Sequence, residues 1–320
     1  MQGMTTCRFT SAAVALAALA LSSSIAPSAA GIAPTLSPVR DAQRTLDQAR
    51  QAKPLERYSY GWPVKPFRAQ HPVRGFFGDP RISNHGQSRQ FHFGIDISAA
   101  NGTPVYATMS GTVRIHALHS TTLEIAGVND VEFSYWHVVP VVRSGQRVTA
   151  YRSVIGHVEE PYGHVHFSEM HGDRYVNPLR PGALGPFSDE TRPSVRSAAV
   201  DRSGELVVEA YDQTPLAVPR PWHDLPVMPA VVRGRIRDAK GQTIEGWTTL
   251  VDFRSTIPSA SMFDAVWADG VMQNHVRAPG RYRLVLARDL PPGRYVVEVA
   301  VRDTRGNADL ARFRLDVSDR

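Results

Sequence analysis

The chain has 320 residues, 42% of them hydrophobic and 21% charged, a balance that suits folded globular domains and excludes a disordered polymer. The formal net charge is +6, and all but three of the 36 basic residues (Lys53, Lys65 and Lys240) are arginine. This charge is scattered without a run of five like residues, which argues against a nucleic-acid patch; it suits long-range attraction to an anionic polymer, and an arginine-biased genome explains it equally well.

In chain order, Arg8 is the sole charged side chain of the first thirty residues, followed by an apolar run at 12–21 and by Ser28-Ala29-Ala30. A basic start, a short apolar core and a small-x-small exit predict a secretory signal peptide over residues 1–30. The run is too short for a permanent membrane anchor. The expected location is therefore exported, periplasmic or extracellular. Cys7, the only cysteine, falls before the apolar core, so the mature chain has no disulfide and any metal is held by His, Asp or Glu. Residues 31–60 read as a linker.

From 61 to 187, short β-rich segments at 94–97, 103–107, 111–115, 122–125 and 133–137 alternate with Gly, Pro, Asn and Ser, which predicts an all-β region. A Pro/Gly/Ser-rich stretch at 180–193 follows. Ten of the twelve histidines lie between His71 and His171. A second series of β-rich runs at 206–210, 230–234, 282–286, 295–301 and 311–317 predicts an antiparallel, immunoglobulin-like β-sandwich over 190–320. Trp222, Trp247 and Trp267 in that part suit its core or rim better than sugar stacking.

Two stretches carry the chemistry, His92-Phe93-Gly94-Ile95-Asp96 and Gly163-His164-Val165-His166-Phe167. Side chains at i, i+2 and i+4 share one face of a strand, so His92 is expected to face with Asp96, and His164 with His166. Gly94 and the β-branched Ile95 and Ile97 favour a strand over a helix. Two such strands side by side converge four polar groups. Imidazole and carboxylate donors with one position left open suit a catalytic Zn²⁺ rather than a structural one, which points to a hydrolase.

Over roughly residues 61–184 the chain resembles the lysostaphin-type (LytM) zinc metallopeptidases. The first stretch continues into Asn101-Gly102-Thr103-Pro104-Val105-Tyr106-Ala107 and Gly111-Thr112-Val113. Tyr135-Trp136-His137-Val138 stands at that family's tyrosine-x-histidine segment. Ser144-Gly145-Gln146-Arg147-Val148, Val154-Ile155-Gly156 and Val176-Asn177-Pro178 match the remainder. The resemblance implies a barrel-like antiparallel sheet of the duplicated hybrid motif type. It implies an exported zinc endopeptidase acting on peptide cross-links of bacterial peptidoglycan, with that peptide as its partner. It further implies Zn²⁺ at His92, Asp96 and His166, and catalytic roles for His137 and His164. Zn²⁺ makes hydroxide available near neutral pH. His164 can then act as general base and His137 as a donor to the oxyanion, worth about 3 kcal/mol, with the division between them left open by sequence.

Two departures from the family stand out. Ser168 occupies the place after Phe167 where the family often has an acid, with Glu169 on the opposite face. The loop Glu159-Glu160-Pro161-Tyr162 is short and acidic, and is expected to line the cleft. His85, His116, His119, His157 and His171 match no family role and read as exposed. A second reading makes the chain a non-catalytic regulator of wall hydrolases on the same fold. Such members have degraded ligand sets, whereas all five residues are present here.

Overall fold

The computed structural model describes residues 59–82, 89–118, 120–127, 130–220, 222–223, 225–272 and 281–318. The expected signal peptide, nearly all of the linker, His85 and His119 lie outside the described residues. What is described is almost all β, as the sequence predicts. The first part holds β1 (Val73–Gly75), β2 (Pro80–Ile82), β3 (Arg89–Phe91), β4 (Ile95–Ser98), β5 (Pro104–Tyr106), β6 (Gly111–Leu118) and β7 (Ser120–Ala126). It continues with β8 (Val131–Trp136), β9 (Val138–Pro140), β10 (Arg147–Val148), β11 (Val154–Val158), β12 (His164–His171) and β13 (Arg174–Val176). The second part holds β14 (Ser194–Val200), β15 (Leu206–Tyr211), β16 (Val231–Asp238), β17 (Thr243–Asp252), β18 (Arg283–Ala287), β19 (Gly293–Arg302) and β20 (Ala308–Val317), with one short helix, α1 (Phe263–Val266).

The site is built on an antiparallel sheet of order β1-β4-β12-β8-β7-β6-β10, with β13 also pairing β12. Alternation sets what each face of β12 carries. Val165 and Phe167 point into the core at 0% exposure, while His164, His166 and Ser168 share the opposite face. Pairing sets the register: His166 opposes Asp96 on β4 and Trp136 on β8. A one-residue slip would turn both histidines into the core, and the apolar residues between them forbid it.

The second part packs the sheet β14-β15-β18 with the sheet β17-β16-β19-β20. The sheets divide between β13 and β14, but the buried side chains do not: one hydrophobic cluster runs from Tyr60 to Val301. Phe91 makes the link, its ring 5.7 Å from Phe253, 5.6 Å from Phe263 and 6.3 Å from Trp267. Trp267 is thus a core residue. Tyr60, read as the last linker residue, is buried as well and bridges Leu184.

Two local expectations fail. His92 does not share a strand with Asp96; it lies in the connection between β3 and β4, where its backbone pairs with Gly78 and Asp79. Gly94 lets this connection pass close against β12, since a Cβ on it would stand 2.5 Å from the Phe167 carbonyl oxygen and from Ser168 Oγ. His137 likewise lies beyond β8, because its φ of 62° is left-handed and ends the strand at Trp136.

Candidate metal centre

His92, Asp96 and His166, all buried, bring one donor atom each to a single point. His92 Nε2 lies 2.8 Å from His166 Nδ1, and each of these nitrogens lies 3.2 Å from Asp96 Oδ1. The remaining ring nitrogens are committed elsewhere. His92 Nδ1 lies 2.8 Å from the Phe76 carbonyl, which can only accept, and 2.9 Å from Arg81 Nη2, which can only donate, while His166 Nε2 lies 2.9 Å from Ser168 Oγ, a hydroxyl able to do either. When His92 Nδ1–H serves the Phe76 carbonyl and His166 Nε2–H serves Ser168, the three converging atoms are all lone-pair bearers with no proton between them. Such a triangle is repulsive unless a cation sits against it. Tetrahedral Zn²⁺ with bonds near 2.0 Å asks for ligand–ligand edges of about 3.3 Å, close to those found. The donor set therefore fits zinc.

The electrostatics agree. Burial, aided by the Arg81 charge, lowers the His92 pKa, and burial pushes His166 down to about 4. Both rings are neutral at pH 7, the form that ligates. Burial alone would raise the Asp96 carboxyl, but His92 in its protonated form, the permanent Arg81 charge and protonated His164 outweigh it and hold the carboxyl well below the usual carboxylate range. Arg81 Nη2 donates to Asp96 Oδ2 at 2.7 Å, leaving Oδ1 for the metal point.

His164 and His137 stand beside this triangle. His164 Nε2 is 3.5 Å from Asp96 Oδ1. Its Nδ1 lies 2.9 Å from the Tyr162 carbonyl and 2.6 Å from Arg74 Nη2. The first can only accept and the second only donate, so whichever partner it serves decides whether Nε2 is bare or protonated. The His137 ring stacks on Tyr162 at 3.9 Å and lies 4.7 Å from His164, and its buried Nδ1 has no hydrogen-bond partner among the described residues. Burial lowers His137 to about 4 and His164 to about 3.

All five residues line one cleft of about 350 Å³. Trp222 and Leu225, from the second part, line it too. The Arg74 guanidinium lies 3.8 Å over the Trp222 ring, and its Nη1 is buried without a hydrogen-bond partner among the described residues. Burial lowers Arg74 to about 10, still charged at neutral pH.

Residues 90–178 match the sequence profile of Peptidase family M23. They form an M23 peptidase domain. No curated protein matches the chain. Among solved structures, the chain is similar to a zinc containing peptidase from Vibrio cholerae, at 26% identity over 42% of this chain and 43% of that one, with a TM-score of 0.33. It is similar to LytU at 27% identity over 36% of this chain and 86% of that one, with a TM-score of 0.29. It is also similar to a chain of the SpoIIQ–SpoIIIAH pore forming complex, at 21% identity over 39% of this chain and 90% of that one, with a TM-score of 0.32.

Within the M23 domain, the expected second partner of His166 is Ser168, fully buried, so the missing acid leaves no gap. Glu169 faces away, as expected, and takes hydrogen bonds from the Tyr60 hydroxyl and, at 2.6 and 2.7 Å, from Arg180. The loop at 159–162 does not line the cleft; it backs His137 and His164 through the Tyr162 ring and carbonyl. His116 and His171 are exposed, while His157 is half-buried. Sequence reading missed Arg74, Arg81 and Trp222. With arginine the chain's general-purpose cation, no pattern separates these two from the rest, and Trp222 reaches the M23 cleft only through folding. No helix among the described residues is long and apolar enough to cross a membrane.

Proposed function

We propose that the chain is an exported zinc metalloendopeptidase that hydrolyses peptide cross-links of bacterial peptidoglycan. The observation carrying this reading is the triangle of ligand atoms on His92, Asp96 and His166, with two neutral histidines beside it in one cleft. A zinc ion held by these three residues supplies Lewis-acid polarisation of the scissile carbonyl and acidifies water. His164, with Nδ1–H given to the Tyr162 carbonyl, keeps Nε2 bare and accepts the proton there. Its lowered pKa keeps it uncharged at neutral pH. His137, uncharged for the same reason, offers an N–H to the oxygen on which charge develops. Stacking on Tyr162 and a left-handed backbone fix its ring. Arg74 gives the cleft one cation beyond the Arg81–Asp96 ion pair, which suits peptides bearing free carboxylates. The wall peptide as substrate and export rest on the resemblance over 61–184 and on the N-terminal sequence pattern.

The test joins metal analysis of the purified mature chain to mass spectrometry of peptidoglycan digests from several chemotypes. One zinc per chain and released peptides are expected, with His164→Ala keeping the zinc and losing turnover. Zinc without product from any chemotype would move the reading to a wall-binding regulator. A chain that binds no zinc, or a His166→Ala variant of full activity, sinks the proposal.

A further inference from the structure

A second group of ligand-type side chains lies away from the histidines. Asp189, Asp212 and Asp303 bring one carboxylate oxygen each to within 4.8 Å of one another. They come from three places: the segment before β14, the residue after β15 and the turn between β19 and β20. All three are buried, at 6%, 1% and 2% exposure.

Local hydrogen bonds satisfy only part of the cluster. The Asp303 oxygens accept from the Arg305 and Asn307 backbone N–H groups at 2.8 and 2.9 Å and from Asn307 Nδ2 at 2.5 Å. Asp189 Oδ1 accepts from Thr191 N and Oγ1, and Asp212 Oδ1 accepts from Gln213 N at 2.8 Å. The Oδ2 atoms of Asp189 and Asp212 are buried with no hydrogen-bond partner among the described residues. Asp212 and Asp303, with Asn177, also line a cavity of about 10 Å³, the space that one water-sized sphere needs. Phe76 and Phe77 of the first part close its other side. Arg305 is the cation whose field reaches Asp189, while Asp79 adds negative field at Asp212.

Buried carboxylates in one another's field, two with an uncommitted oxygen, are costly until neutralised. A donor set of oxygen alone excludes soft-metal preference, and Ca²⁺ accepts an irregular shell completed by carbonyls and water. We propose that Asp189, Asp212 and Asp303 hold a hard divalent cation, Ca²⁺ in the first place, where the M23 domain meets the second part.

The position gives this site a consequence. Asp212 N donates to the Val227 carbonyl at 2.6 Å, and Val227 N donates back to the Asp212 carbonyl at 3.0 Å. This pair closes the base of the segment 213–226, which carries Trp222 and Leu225 into the M23 cleft. A cation on Asp212 therefore clamps the segment that forms one wall of the cleft, and does so independently of the proposed peptidase activity.

The experiment uses the full mature chain, stripped by chelator and reloaded with zinc, then titrated with Ca²⁺ by calorimetry and thermal unfolding. One Ca²⁺ per chain and a rise in Tm of several degrees are expected. Asp212→Asn is expected to weaken Ca²⁺ at least tenfold with zinc content unchanged. Burial pushes the Asp212 carboxyl up to about 8, so without Ca²⁺ it is largely the neutral acid and the variant should unfold at no lower a temperature than the parent, which separates a lost site from a damaged fold. Absence of any Ca²⁺ response in the parent, or an equal response in Asp212→Asn, overturns the proposal. A larger response to Mg²⁺ than to Ca²⁺ overturns the assignment of the ion.

Discussion

Ser168 Oγ stands 2.9 Å from His166 Nε2, so a hydroxyl partners this ring from the position where the lysostaphin-type family often has an acid. The contact fixes which nitrogen of His166 faces Asp96. Removing it leaves a buried ring nitrogen without a partner and frees the ring to turn. Ser168→Ala is expected to lower zinc affinity by roughly 10- to 100-fold, with the fold intact. Competition with a chelator of known affinity measures this, and an unchanged zinc affinity would show that Ser168 does not orient the ligand.

Arg74 and Trp222 are 148 positions apart, yet the guanidinium lies 3.8 Å over the indole. Trp222 thereby holds a charged group against His164 in the cleft, so one face of its ring is occupied and not open to a sugar. Such a partly desolvated contact is worth about 1 kcal/mol, or roughly five-fold in affinity. Trp222→Ala is expected to raise KM for a wall-derived peptide by about that factor, with zinc content unchanged and kcat within about two-fold. Steady-state kinetics decide it. A KM equal to that of the parent would remove the second part of the chain from substrate binding.

Glu169, 2% exposed, accepts from Tyr60, from both Arg180 Nη atoms and from His171, and so ties the start of the described chain and the segment after β13 to β12. Glu169→Ala leaves a guanidinium and a buried hydroxyl unpaired, at a cost of about 3 kcal/mol. For a unit of this size the Tm should fall by on the order of 10 °C. Calorimetry checks the drop. A shift within about 2 °C would mean that water replaces the carboxylate freely.

The His-x-His and His-x-x-x-Asp spacings made the candidate centre legible because strand alternation is a local rule: His164 and His166 share a face of β12 through residue geometry alone. His92 reached the same point by another route. Its place depends on a glycine between it and Asp96 and on backbone pairing with Gly78 and Asp79, neither of which has a period to read. Strands β1 to β3, at three residues each, are too short to display alternation. Arg81, Trp222 and the Asp189–Asp212–Asp303 group depend on contacts between distant segments, and no local pattern encodes those.

Gly94 offers the sharpest test of that glycine's role. A Cβ at this position would meet the Phe167 carbonyl oxygen and Ser168 Oγ at 2.5 Å and His166 Nε2 at 2.8 Å. Two of these atoms belong to the hydrogen bond that orients His166, and the third is backbone of β12, which cannot yield without moving the strand. Gly94→Ala should therefore cost about 1–3 kcal/mol by overpacking and weaken zinc at the same time. Gly246→Ala, where an added Cβ meets nothing within 4 Å, serves as the control and should change neither. Paired thermal unfolding and zinc titration read both effects. A Gly94→Ala chain that binds zinc as tightly as the parent would show that the approach of this connection to β12 has slack.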